Sequence, residues 1–467
     1  MRSKFPACLK KSIINVYDSN SGAYAGIINL MRSSFNSVQR ALVTRKQVKT
    51  TSITMNKMLR FQLSAMMFLQ YFIWGSWYVT MGTYLDKTLH FSGIEIGSAY
   101  GAPAIGAMIS PFFIGMIADR FFATEKILAV LHIIGGLLLY YLSTLTQVHD
   151  FLWVLNAYTL CYMPTLALTN SISFHQMQDI SREFPKVKLW TGVGWIAAGL
   201  IISRLNLEAS ALPFRMAALA SVLMGAYCFT LPHTPPKSKG IRVTLSDVLG
   251  LDALKLMRDP SFSIFVAGSF LICIPLTFYY AFANNFLFEI GMKYTAAKMT
   301  LGQVSDIVFL FLMPIFFTKF GVKKMLLFGM LAWVTRYLLF AFGNNDALVW
   351  MLYGGIAIHG ICYDFFFVTG QIYIDQRAGI KIRGAAQGFI AFITLGAGMW
   401  VGAKCAGFAA ELYTFTDAQG VIRHQWSKIW LLPAISAAVV LILFALFFKT
   451  KKTAPRIMNE VPAVPIA

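Results

Sequence analysis

Within the apolar run His359-Gly360-Ile361-Cys362-Tyr363-Asp364-Phe365-Phe366-Phe367-Val368-Thr369-Gly370-Gln371 stand an imidazole, a phenol and a carboxyl group. An ionisable side chain in a stretch apolar enough to cross a bilayer is expensive to bury, so it marks a substrate or ion pathway unless its neighbours satisfy it fully. At helical spacing His359, Tyr363, Phe366 and Gly370 share one face, with Asp364 about 100° round from Tyr363. Proton exchange is the chemistry such a face supports. Imidazole titrates near neutral pH, and a carboxyl group that titrates near ~3.9 in water is raised by up to ~3–5 units on desolvation. The plainer reading is a neutral core histidine beside a carboxyl satisfied by hydroxyl groups.

Other polar residues recur in the same kind of setting. Gln303 and Asp306 lie at i and i+3, followed by Ile307-Val308-Phe309-Leu310-Phe311-Leu312-Met313, where a carboxylate cannot easily reach water. Lys188, Thr191 and Trp195 fall within two turns in Phe184-Pro185-Lys186-Val187-Lys188-Leu189-Trp190-Thr191-Gly192-Val193-Gly194-Trp195; for Lys188 the plainer alternative is an amine that snorkels to the membrane surface. Thr277, Tyr279, Tyr280, Asn284 and Asn285 form another set. Thr165, Thr169 and Ser173 recur at four-residue spacing beside Asn170, a stripe that either lines a pore or bonds back to its own helix. Arg336 is expected to be structural or to reach outward.

The elements that position these groups are membrane spans. The chain has 467 residues, 57% of them hydrophobic, only 13% charged, with mean hydropathy +0.63, outside soluble globular usage. Twelve apolar stretches of about 20 residues, the length that crosses ~30 Å of hydrocarbon, run near 61–85, 94–118, 127–146, 151–174, 187–204, 210–231, 261–288, 299–318, 325–342, 347–373, 384–408 and 428–448. The formal charge of +20 sits between them. With both termini cytoplasmic, the inside loops and tail hold twenty Lys and Arg, from Arg120 to Arg456, against seven outside (Lys87, Arg204, Arg215, Lys293, Lys298, Arg423, Lys428). That is the positive-inside asymmetry, and it removes any need for a nucleic-acid partner. The six cysteines show no metal-ligand or disulfide spacing.

The chain divides into a basic extension (1–54), a first six-helix bundle (55–231), a cytoplasmic linker (232–260), a second bundle (261–449) and a tail (450–467). The extension holds nine Lys/Arg against one acid, Asp18. A flexible tail or a transit peptide fits it; Met55-Asn56-Lys57-Met58-Leu59-Arg60 looks like a natural beginning, so the favoured reading is an upstream start of translation. In the linker, Leu245 to Met257 reads as an amphipathic surface helix. Gly93, Gly97 and Gly101 have the spacing that lets membrane helices approach closely.

Gly115-Met116-Ile117-Ala118-Asp119-Arg120, followed by Lys126, resembles the loop signature of the major facilitator superfamily, and Pro111-Phe112-Phe113 is echoed about 200 residues later by Pro314-Ile315-Phe316-Phe317. Two repeated six-helix halves are a transporter pattern. From Met58 to Lys452 the chain resembles the nucleoside:proton symporter family within that superfamily. The carriers are Phe68-Leu69-Gln70, Trp74-Gly75-Ser76-Trp77, Tyr162-Met163-Pro164-Thr165-Leu166, Phe184 to Gly194, Leu249-Gly250-Leu251-Asp252-Ala253, Gln303-Val304-Ser305-Asp306, Tyr363-Asp364-Phe365-Phe366 and Ala386-Gln387-Gly388.

The resemblance implies an all-α integral membrane protein with twelve transmembrane helices in two bundles, alternating access, and proton-driven nucleoside import. It implies binding roles for Lys188 (arginine in better-known members), Gln303, Asp306 (glutamate there) and Asp364, and an interface latch at Gly115, Asp119 and Arg120. The chain departs from those members at Trp190-Thr191-Gly192, at Thr277 and Tyr280, where they carry Gln and Asn, and at His359, where they carry Tyr. A nucleobase would stack on Trp195, Tyr280 or Tyr363, and ribose hydroxyls would meet Asp306, Asp364 and Gln303. Asp306 and Asp364 are the proton-coupling candidates, with His359 the third. A bacterial inner membrane, a monomer, no metal and no cofactor beyond the coupling protons complete the expectation. Purine, pyrimidine and sugar substrates stay open, as does a non-transporting sensor of the same fold; the loops carry no motif for an enzyme.

Overall fold

The computed structural model describes residues 55–117, 122–235 and 251–449. It is built of helices α1 (Lys57–Trp77), α2 (Met81–Lys87), α3 (Gly93–Ile117), α4 (Thr124–Leu142), α5 (Val148–His175), α6 (Ile180–Arg204) and α7 (Leu212–Cys228), then α8 (Pro260–Glu289), α9 (Thr295–Phe342), α10 (Val349–Ala357), α11 (His359–Tyr363), α12 (Thr369–Ala391), α13 (Met399–Leu412) and α14 (Trp426–Phe447). Among the described residues, seven helical stretches are long and apolar enough to cross a membrane by length and composition. Helices suit that setting because they satisfy every backbone donor and acceptor internally.

Two of the breaks between expected spans rest on single glycines, each a kink between two helical segments, one within α9 and one within α12. Gly321 in α9 has φ +68, ψ 175, and Gly379 in α12 has φ +66, ψ 174. This is a region that only glycine enters without strain. No described atom lies within 4 Å of a Cβ built at either position, so the requirement is backbone geometry alone. Gly321→Ala and Gly379→Ala are each expected to cost about 1–3 kcal/mol. Gly384→Ala, at an equally open site without positive φ, should be neutral or slightly stabilising. Thermal unfolding of the detergent-solubilised variants checks this; equal midpoints for all three would contradict it.

Helices α1 to α7 pack chiefly on one another, α1 on α6 and α7, α4 on α5 and α7, α3 on α5; likewise α8 packs on α13 and α14, and α9 on α11 and α14. The two sets meet where α3 lies along α13, α6 along the first half of α9, and α2 against α8. The glycine ladder of α3 carries the first of these contacts. A Cβ at Gly97 would stand 2.5 Å from the Ala403 carbonyl oxygen and one at Gly93 2.7 Å from that of Gly407, whereas Gly101 has ordinary room against Trp400. Two of the three expected glycines are therefore needed for the approach.

A short antiparallel hairpin, β1 (Thr414–Thr416) and β2 (Ile422–His424), caps the end that also holds α2. In its turn Asp417 accepts from Arg423 Nε at 2.8 Å and from two turn amides, and this holds its carboxyl group below the usual carboxylate range. The amphipathic helix expected over 245–257 falls partly outside the described residues; its described part, Leu251–Arg258, is a 3-10 helix.

Candidate substrate and proton site

Asp306, His359 and Asp364 come together where α9 crosses α11. Close approach of the two backbones places them: a Cβ at Gly302 would lie 3.2 Å from that of His359, and the Gly360 amide donates to Ser305 Oγ at 3.1 Å. The His359 ring stacks on Tyr279 at 5.2 Å and on Tyr363 at 6.1 Å, with Tyr280 edge-on at 6.4 Å. Its Nε2 is 3.8 Å from Asp306 Oδ2, an ion-pair separation too long for a direct hydrogen bond. The Asp306 side chain is 31% exposed, while Asp364 is only 3% exposed. Among the described residues, Asp306 Oδ1, Asp364 Oδ2 and His359 Nδ1 have no hydrogen-bond partner. The two carboxyl groups are near enough for their charges to interact. Such buried, unsatisfied acceptors are uncommon in a settled core.

Asp364 also opens a π turn, Asp364–Val368, and this changes the face read from the sequence. With one residue more in the turn, Phe367 takes the position beside Tyr363, its ring 5.0 Å away. Phe366 turns instead to Gly329 of α9, and Gly370 to Phe265 of α8. The expectation that Phe366 and Gly370 share the His359–Tyr363 face holds for a regular helix, not for this one. Single π turns recur at functional sites.

Tyr279, Tyr280, Gln303 and Trp195 line a narrow crevice that adjoins this cluster through Tyr279 and through Gln303, one helical turn from Asp306. Gly75 of α1 makes room for Trp195, whose ring lies 5.7 Å from Trp74, and Tyr78 lies 5.6 Å from Tyr280. Lys188 does not snorkel. It is 8% exposed, donates to the Tyr71 hydroxyl at 3.1 Å and lies over that ring. Thr191 and Thr277 are occupied elsewhere: Thr191 donates to its own helix at Lys188 O, and Thr277 donates to Cys273 O in the tight contact with Gly402. The Thr165, Thr169, Ser173 stripe also bonds back to α5 and is fully buried; Gln70 links Thr165 to His132, a packed network rather than a pore wall. Arg336 neither reaches outward nor touches solvent. Of the latch residues, Gly115 lies in α3, and Asp119 and Arg120 fall outside the described residues.

A second polar cluster closes the hairpin end. Lys87 Nζ lies 2.6 Å from Glu289 Oε2 and 2.9 Å from Asp86 Oδ2, His424 Nδ1 lies 2.7 Å from Glu289 Oε2, and Asn285 donates to Asp86 at 2.8 Å. Deeper in, Thr83 donates to Asn284 at 2.6 Å. These contacts tie α2 to α8 and the hairpin. Asn284 and Asn285 stood out in the sequence as polar residues in a span, but Asp86, Glu289 and His424 are ordinary helix-end and loop residues until folding brings them together.

Both the fold and the sequence have known relatives. The chain superimposes on the crystal structure of the nucleoside transporter NupG with a TM-score of 0.77 at 29% identity, covering 84% of this chain and 100% of that one. YegT of Escherichia coli (strain K12), assigned by name to nucleoside transport, is 40% identical over 87% of this chain and 96% of its own length. The xanthosine permease of the same organism is 32% identical over 83% and 95%. Since the model of the nucleoside H+ symporter family matches residues 55–453, a range that contains every described residue, the protein belongs to that family of multi-pass membrane transporters.

Proposed function

We propose that the protein imports nucleosides by proton symport through alternating access, as a monomer spanning a bacterial inner membrane twelve times in two six-helix bundles, with both termini in the cytoplasm. The observation that carries the reading is the juxtaposition of two unsatisfied carboxyl groups, Asp306 and Asp364, with His359 beside an aromatic crevice. Flat rings at Trp195, Tyr280 and Tyr363 suit a nucleobase; Gln303, Asp306 and Asp364 offer partners for ribose hydroxyls, and Lys188 offers a cation. The coupling ion is the proton, carried by a carboxyl group, and no cofactor is assigned.

The closed hairpin end fits the periplasmic side, since basic residues concentrate at the opposite loops. At that opposite end Gly384 and Gly388 have no described atom within 4 Å of a built Cβ, in keeping with a carrier open to the cytoplasm. Closing that end in the alternate state is the role assigned to Gly115, Asp119 and Arg120.

The test is uptake of radiolabelled uridine and adenosine into liposomes containing the full chain, with and without an imposed proton gradient. Accumulation that collapses with an uncoupler is expected. Absence of uptake of both by a preparation shown to be folded would overturn the nucleoside assignment and direct a screen to sugars.

A further inference from the structure

We infer that Arg336 is a positioning residue of the transport site: a fixed buried cation that acts through the Tyr279–His359 ring stack to keep Asp306 anionic, leaving the coupling proton to Asp364. The inference rests on the symport reading above for the identity of the transported ligand, not for its electrostatics.

Arg336 lies in the second half of α9 and is 0% exposed. Its Nε donates to the Gly355 carbonyl at 2.9 Å, yet neither Nη1 nor Nη2 has a hydrogen-bond partner among the described residues. A guanidinium offers five donors, and an ion buried with most of them unmet is a costly arrangement that packing alone does not require. The guanidinium carbon lies 4.2 Å from the centre of the Tyr279 ring and 4.9 Å from that of Trp333. Tyr279 stacks on His359 with the planes 26° apart, and the far nitrogen of that imidazole points at Asp306, 3.8 Å away. Cation, ring, ring and carboxylate thus stand in series.

The charged and titratable groups around this series are Tyr279 and Tyr280 on α8, Asp306 and Tyr337 on α9, and Cys362, Tyr363 and Asp364 beyond His359 on the facing segment. Among the described residues, the other buried lysine or arginine is Lys188, which is engaged by Tyr71 on α1. A second positive charge on His359 would be repelled by Arg336, so the imidazole serves as a neutral polar bridge. The buried set then holds one fixed cation and two carboxyl groups. Ionising one carboxyl neutralises Arg336; ionising both leaves a net negative charge in low dielectric, which the bundle resists. Asp306 has the cation behind it and an exposed edge. Asp364 has no such partner, is almost wholly buried and has Asp306 as a like charge nearby. The proton is therefore held as Asp364 O–H and passes to water when its surroundings open, leaving the Asp364 carboxylate; no other bond breaks.

An infrared pH titration of the full chain in liposomes, without nucleoside, tests this, with Asp306→Asn identifying the carboxyl band of Asp306. Wild type and Arg336→Lys are expected to keep the Asp306 carboxylate down to the same pH. Arg336→Gln and Arg336→Met, which remove the charge, should move the midpoint at which Asp306 takes up its proton to higher pH by about one unit. An unchanged midpoint in either neutral variant, with a native unfolding profile, would overturn the inference, since a merely structural arginine would leave the titration alone. Replacing a buried ion by an apolar residue is often tolerated. Should neither neutral variant fold, His359→Leu breaks the series with Arg336 in place; the same upward shift is expected, and its absence overturns the inference equally. Because the titration needs no substrate, failure of nucleoside uptake would count against the transport reading alone.

Discussion

Asp364→Asn is expected to abolish uphill accumulation while leaving nucleoside exchange across the membrane intact. An amide has the shape of the protonated acid but cannot release a proton, so the loaded carrier still reorients and the cycle loses its coupling. One charge moving down 100 mV releases ~2.3 kcal/mol, about a 50-fold concentration ratio at 25 °C. In the variant that ratio should fall towards unity. Asp306→Asn should behave differently: with Asp306 as a permanent acceptor, losing a charge-assisted hydrogen bond of ~1.5–3 kcal/mol weakens substrate affinity at least about tenfold and leaves coupling in place. Gradient-driven uptake and counterflow, measured side by side for both variants, separate the two. Uphill accumulation by Asp364→Asn would sink the assignment of the proton.

The second large effect concerns assembly. Gly194→Val should largely eliminate folded protein from the membrane. A Cβ at Gly194 would stand 2.2 Å from the Phe68 carbonyl oxygen, a backbone atom of α1 that cannot step aside without moving the helix. Overpacking usually costs ~1–3 kcal/mol, and a clash of two backbones lies at or beyond the upper end. Gly192→Ala, two residues away, meets only the end of the Ile307 side chain at 3.3 Å and should be tolerated. Fluorescence-detected size exclusion of detergent extracts distinguishes them; a monodisperse Gly194→Val would show that the α1–α6 contact is looser than described. The residue matters to function because the same contact seats Trp195 against Gly75 at the crevice.

Much of this was legible in the sequence because membrane burial makes polarity conspicuous. Asp306, Asp364 and His359 stand out in apolar runs for the same reason that they cluster in the fold: few other places receive them. The helical character of the long apolar stretches followed from their length, and the glycine spacing of α3 pointed to a close contact, though not to α13 as its partner. What could not be read were features that depend on partners distant in sequence or on a local change of helical pitch. That Thr277 and Thr191 donate their hydroxyl hydrogens to their own helices could not be read from their spacing. Lys188 is consistent with a snorkelling amine until Tyr71 is brought beside it. The π turn at Asp364 has no sequence signature in Asp364-Phe365-Phe366-Phe367-Val368, and it alone decides which phenylalanine joins the site. Asp86, Glu289 and His424 look like ordinary termini and loop residues because the partners they meet lie from 135 to more than 300 positions away in the chain.

The turns at Gly321 and Gly379 have a mechanical consequence. Each joins two helical segments through a single residue, so the two members of each pair are closely tethered. Irregular pitch lies within the helices, at Asp364–Val368 and Phe392–Gly398, where an extra residue per turn loosens the hydrogen-bond ladder. Among the described residues, one of these two looser turns begins with Asp364, the carboxyl group to which we assign the coupling proton. On that assignment, a change of charge falls where the helix is already loosened.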